Sequence, residues 1–245
     1  MKAAVVALFA LLASAGARAL EPERVLPFEL RQQLPLLSVQ VDDRPATLIL
    51  DLGGAAPLAL RPDWPADEAK TDARSKRVRL PGGELETLPA TVWKKTTIPP
   101  GIDGYLGFAY LQRFNLVFDY AKRQARLYPR GAAHGECRAT PVALSRLGSL
   151  PYVQFDYSGQ TLLMGLDTGA NQNLIKPGRP GAVLSDKTRS LDGASLAGQR
   201  TAPGPLLVME LPIPTLDGLL GYDFFAHYRV CLDPAANTLA ADAFE

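Results

Sequence analysis

Two short stretches of this sequence put a carboxylate where a carboxylate is costly. Leu48-Ile49-Leu50-Asp51-Leu52-Gly53-Gly54-Ala55 and Leu163-Met164-Gly165-Leu166-Asp167-Thr168-Gly169-Ala170 each run an apolar segment into an aspartate, then one residue, then glycine. An ionised side chain at the end of a buried strand is unfavourable unless something pairs it or uses it. The glycine two positions later permits a tight loop and a close backbone approach. If the two loops face each other across an approximate two-fold axis, Asp51 and Asp167 meet. Two carboxylates in contact do not both ionise readily, so such a pair shares one proton. The ionised member can take a proton from water while the protonated member polarises a carbonyl. That combination hydrolyses an amide bond with no metal and no cofactor.

The elements that would position the two loops recur along the chain. Leu34-Pro35-Leu36-Leu37 aligns with Leu150-Pro151-Tyr152-Val153 at an offset of 116, which also carries Asp51 onto Asp167 and Gly53 onto Gly169. Ile102-Asp103-Gly104-Tyr105-Leu106-Gly107 aligns with Leu216-Asp217-Gly218-Leu219-Leu220-Gly221 at an offset of 114, as do Asp119 and Asp233. Several blocks in order at a nearly constant spacing indicate two repeated units. The boundaries read as 20–130 for the first lobe, 131–137 for a linker and 138–245 for the second. Each unit is β-rich. Leu36–Val41 and Ala46–Leu50 flank a turn at Asp42-Asp43. Arg77–Leu80 and Glu84–Leu88 flank Pro81-Gly82-Gly83 in a hairpin pattern. A short helix is expected after Gly107. Residues 176–205, rich in Gly, Pro, Ser and Arg, are expected to be irregular.

Composition narrows the function classes. With 26 Lys+Arg against 25 Asp+Glu the net charge is +1, so no basic surface for nucleic acid is implied. Two His and two Cys are too few for a zinc finger or an iron–sulfur site. Met1-Lys2, the uncharged run Ala3–Leu12 and Ala17-Arg18-Ala19 read as a signal peptide, residues 1–19, cut after Ala19. The run is shorter than the roughly 20 residues a span needs, so no stable membrane anchor is expected. The implied location is periplasmic or secreted. There Cys137 and Cys231 are expected to form a disulfide, the alternative being two buried free thiols. Gly193-Ala194-Ser195-Leu196-Ala197-Gly198 lacks the strand and the second glycine of a nucleophile elbow and reads as a polar turn. Asp103 and Asp217 precede the glycines of the second block and read equally as turn-forming carboxylates or as groups with a role near the cleft.

On these residues the chain resembles retropepsin-like aspartic proteases, with two units fused in tandem. Asp167-Thr168-Gly169-Ala170 matches the family's Asp-Thr-Gly motif, and the blocks ending at Gly107 and Gly221 look like its second signature. The resemblance implies an all-β fold of two closed, pepsin-like lobes related by a pseudo-two-fold axis, each lobe supplying one catalytic aspartate, here Asp51 and Asp167. It implies a glycine-bearing hairpin flap, for which Gly82 and Gly83 are the candidates, and an extended peptide or protein substrate. Both carboxylates come from one chain, so a monomer suffices. Gly53, Gly169 and Thr168 would support the pair. Leu52 departs from the family's threonine and cannot donate the cross-loop hydrogen bond that the family's hydroxyl makes. Two outcomes stay open: an active endopeptidase, or a degenerate module that grips peptide without cutting it.

Overall fold

A computed structural model describes residues 20–65, 74–94, 99–157, 159–179, 188–190, 193–196, 198–201 and 204–244. The expected signal segment 1–19 lies outside the described residues. Strands dominate, in three sheets. In the first lobe, Leu34–Val41, Arg44–Asp51, Gly104–Gly107, Leu58–Leu60, Leu85–Val92 and Ser75–Arg79 pair in that order, and Ser75–Arg79 returns to Leu34–Val41. The ring is closed, which removes its sheet edges. The second lobe uses the same kind of strands, among them Leu150–Tyr157, Gln160–Leu166, Asn173–Ile175 and Gly218–Leu220. It curls without closing among the described residues.

Local sequence accounts for these elements. Val41 pairs with Arg44 across Asp42 and Asp43, both at positive φ, the two-residue connection that matches strand twist. Asp42 is held there by Lys76 at 2.9 Å. Alternation along Leu34–Val41 and Arg44–Asp51 turns Leu37, Val39, Leu48 and Leu50 into one apolar cluster that also contains Phe118, Leu166, Leu220 and Phe225. The cluster therefore runs through both lobes. The 176–205 segment, expected to be irregular, contains the short strands Thr188–Ser190, Ser195–Leu196 and Gln199–Arg200. Strands of two or three residues show too little alternation to be read from sequence.

The third sheet joins the lobes. Its order is Arg24–Pro27, Gln124–Tyr128, Asn115–Asp119, Tyr228–Asp233, Thr238–Ala243 and Val142–Ala143. At its centre Val117 faces Cys231, with Leu116 opposite Leu232 and Phe118 opposite Val230. Val117 and Cys231 are 114 positions apart, the offset of the second sequence block, so the pseudo-two-fold axis passes between them. Leu116 and Phe118 face the main core, whereas Val117, Tyr128, Cys231 and Ala240 form a smaller cluster on the other face. Cys137 packs against that cluster and is disulfide-bonded to Cys231. Arg138 and Ala139 continue the attachment, their N–H groups donating to Asp242 at 2.8 and 2.7 Å.

The disulfide closes a sequence separation of 94 residues. Replacing both cysteines with serine is expected to lower stability by about 4 kcal/mol through the unfolded chain's regained entropy. Urea unfolding of the two proteins measures this, and coincident midpoints would contradict it.

Candidate active site

Asp51 is the last residue of Arg44–Asp51, and Asp167 directly follows Gln160–Leu166. Each of these strands has a parallel neighbour carrying the second sequence block: Asp51 lies beside Gly107, and Leu166 beside Leu220. Asp103 and Asp217, for which the sequence leaves a turn role and a cleft role both open, clamp these pairs. Asp103 accepts the Thr47 N–H at 2.8 Å, and Asp217 accepts the Leu163 N–H at 2.7 Å. Gly107 and Gly221 sit where the following loops come closest, since a Cβ there would lie 2.6 Å from the Gly54 and Ala170 carbonyl oxygens respectively. Phe108 and Tyr222 then donate their N–H groups to those carbonyls, each at 3.0 Å. The short helices Phe108–Leu111 and Tyr222–Phe225 start at these bonds.

Each loop closes on its own aspartate. The Gly53 N–H donates to Asp51 Oδ1 at 2.8 Å, and the Gly169 N–H to Asp167 Oδ1 at 2.9 Å. The loops also interlock. A Cβ on Gly53 would lie 2.7 Å from the Asp167 carboxyl carbon, and one on Gly169 would lie 2.8 Å from that of Asp51. Each glycine is thus the seat for the opposite carboxyl, and any side chain there displaces it. The Asp51 and Asp167 side chains are hydrogen-bonded to each other. Both residues keep partial solvent exposure although the surrounding protein is dense. Burial, then the Asp167 charge, then the bond between the side chains hold the Asp51 carboxyl well above the ordinary aspartate range. The Gly53 and Gly54 N–H groups oppose this with smaller effect. A raised carboxyl joined to a second carboxyl is the arrangement in which one proton is shared.

The supporting residues are unequal. Thr168 is fully buried and reaches into the first lobe: its hydroxyl donates to the Leu50 carbonyl at 2.6 Å and accepts the Leu52 N–H at 2.9 Å. Leu52 stands at the equivalent position and cannot return these bonds. Its side chain is instead wholly buried in the main core. The cross-loop link therefore runs from one side only, and apolar packing holds the other.

Gly82 and Gly83 do not cover this pair. They tip the Ser75–Arg79/Leu85–Val92 hairpin, as its pattern suggested, but the turn lies against the interlobe sheet. The atoms nearest a Cβ on Gly83 belong to Arg24, and nothing lies within 4 Å of one on Gly82. Arg24 pairs with Glu86 and donates to the Tyr110 hydroxyl at 2.8 Å, which anchors the hairpin there. The flap expectation is corrected on this ground. Two tyrosines that the sequence reading left without a role do lie near the pair. Burial, followed by the charges of Asp167 and Asp51, raises the Tyr120 phenol, whose hydroxyl finds no hydrogen-bond partner among the described residues. Tyr105 is also raised by burial and feels Asp51. The internal comparison of Tyr105 with Leu219 was the signal available for the second of them.

Thr168→Val is expected to leave the Leu52 N–H and the Leu50 carbonyl without partners, at about 2–4 kcal/mol. Thr168→Ser, which keeps the hydroxyl, should lose much less. Urea titrations distinguish them, and equal losses would contradict the bridging role. The raised Asp51 carboxyl also gives stability a pH dependence. The protonated form is favoured in the fold, so this contribution is complete below the unfolded value near about 3.9 and declines as pH rises towards the folded value. Asp51→Asn should therefore gain melting temperature relative to wild type on going from pH 4 to pH 7, and a constant difference across that range would contradict it.

No family model matches the sequence, and no curated protein does. Solved structures do match in shape. The aspartic proteinase from Irpex lacteus superposes with a TM-score of 0.61 at 14% identity, over 91% of this chain and 97% of its own. Basic 7S globulin from soybean superposes with a TM-score of 0.57 at 9% identity, over 89% and 94%. This chain has the two-lobed, all-β architecture of the pepsin-like aspartic proteinases.

Proposed function

We propose that this protein is an exported aspartic endopeptidase that hydrolyses peptide bonds with water activated by Asp51 and Asp167. The observation that carries the reading is the reciprocal seating of the two carboxyls, each against the other loop's glycine, with Asp51 held well above the ordinary range. With one proton between them, the ionised carboxylate accepts a proton as water's oxygen attacks the carbonyl carbon. The protonated carboxyl donates to the carbonyl oxygen, giving a tetrahedral diol. Collapse returns a proton to the amide nitrogen as the C–N bond breaks, leaving one new carboxyl end and one new amine end. The substrate is an extended peptide or protein. Export is supported by the pattern of residues 1–19 and by the Cys137–Cys231 bond, because disulfides persist in oxidising compartments. Both aspartates belong to one chain, so a monomer is sufficient.

Leu52 favours a second reading, a module that binds peptide in the same place without cutting it. A peptide library assayed from acid to neutral pH separates the two. In the endopeptidase reading, Asp51→Asn and Asp167→Asn each reduce cleavage by about a thousandfold. Activity also falls as pH rises far enough to remove the shared proton. Cleavage surviving in both variants would overturn the mechanism. A wild-type protein that binds without cleaving, and gains cleavage from Leu52→Thr, would establish the second reading.

A further inference from the structure

The two aspartate loops are equivalent in sequence position but braced by different means. The second loop has Thr168, whose hydroxyl bonds twice to the first lobe. The first loop has Leu52, which makes no such bond. Two further positions differ with it. Gly54 stands where the second loop has Ala170, and Tyr105 stands where the second block has Leu219.

These two differences are one feature in space. The Tyr105 ring lies so close over Gly54 that a Cβ there would be 2.6 Å from its Cε2. The ring therefore occupies the room that the Ala170 methyl takes in the other lobe. The Ala56 N–H is near enough to the Tyr105 oxygen to oppose the rise of its phenol, which places the ring's polar end beside the loop five residues beyond Asp51. Tyr105 is held from its own side as well. It lies on Gly104–Gly107, directly opposite Ile49 in the parallel pair with Asp51's strand. Trp93 meets it edge-on with ring centroids 5.7 Å apart, within a cluster of Leu34, Leu36, Ile49 and Ile102. A rigid ring fixed to the sheet on one side and packed hard against Gly54 on the other restrains the stretch 51–56.

We propose that Tyr105 is a positioning residue for Asp51, bracing the first aspartate loop from within its own lobe at Gly54, beyond the Thr168 bonds that hold Leu50 and Leu52. The inference rests on the reading of Asp51 and Asp167 as the reacting pair. Its effect runs through the loop. If the loop relaxes, the Gly53 N–H bond to Asp51 loosens, and with it one of the contacts that favour the ionised form.

The test uses carboxyl-13C aspartate-labelled protein, in which the pair's titration is followed by NMR without any need for turnover. Tyr105→Phe keeps the ring and removes only the oxygen. It is expected to move the pair's titration upward and to lower kcat about tenfold with KM within about threefold of wild type. Gly54→Ala should destabilise, because the methyl collides with the ring. Gly54→Ala/Tyr105→Leu reproduces the pairing of the second lobe and should recover most of that stability while still showing the upward titration. A merely structural tyrosine would restore both together. An unchanged titration in Tyr105→Phe, or additive losses in the double variant, would overturn the proposal. If the titration moves as expected but wild type cleaves no peptide, the brace stands and the endopeptidase reading falls.

Discussion

The arrangement depends on holding two carboxyl groups in contact, which nothing in their own chemistry favours. Two like charges at that range repel, and burial adds a desolvation cost. The structure resolves the conflict geometrically. Each carboxyl is seated on the opposite loop's glycine and receives the N–H of its own, so neither can swing away without breaking a bond or opening a gap. A single proton shared between them would remove one of the two charges. The raised Asp51 carboxyl is the consequence of this confinement, and the strands that carry the pair are clamped at Thr47 by Asp103 and at Leu163 by Asp217.

Confinement of that kind needs a rigid frame below it. The interlobe sheet provides one, with three strands from each half of the chain and the pseudo-two-fold axis passing between Val117 and Cys231. The same axis relates Asp51 to Asp167. Phe118 and Phe225 meet edge-on and pack the sheet against the second lobe's short helix, with centroids 6.0 Å apart, and Leu52 enters the same apolar cluster. The disulfide pins the chain between the lobes to the far face of this sheet, at the axis itself. Relative motion of the lobes would have to disturb that shared sheet, which links the precision of the pair to the stability of the whole.

Much of this was legible in the residues. Asp51 and Asp167 announced themselves because an apolar strand ending in a carboxylate and a glycine is an unusual local pattern, and it occurs twice at matching distance from the second block. The turn at Asp42-Asp43 and the hairpin around Gly82-Gly83 followed from local turn chemistry. What local pattern could not supply was direction. The hairpin's tip is fixed by Arg24, Glu86 and Tyr110, residues separated by 62 and 86 positions from Arg24, and no alternation in the hairpin itself encodes that contact. Whether Leu52 would face solvent, a groove or the core was equally a tertiary matter. The Tyr105–Gly54 contact was visible only as two mismatches between otherwise parallel blocks, and each alone looked like ordinary variation.

Joining both units in one chain is what makes such mismatches possible. When one unit is used twice, every residue at the axis faces its own copy, and a change to one loop is a change to both. Here Thr168 faces Leu52, Ala170 corresponds to Gly54 and Leu219 to Tyr105. Each loop can settle into its own balance of hydrogen bonding and packing, provided the two carboxyls still meet. The reciprocal glycines are under a stricter demand, because each seats a group that belongs to the other loop. That separates the positions a shared geometry must keep identical, Asp51 with Asp167 and Gly53 with Gly169, from those it leaves free to diverge. The loss of a hydroxyl at position 52 is then a change of brace, and the pair's geometry is the quantity the surrounding residues are arranged to conserve.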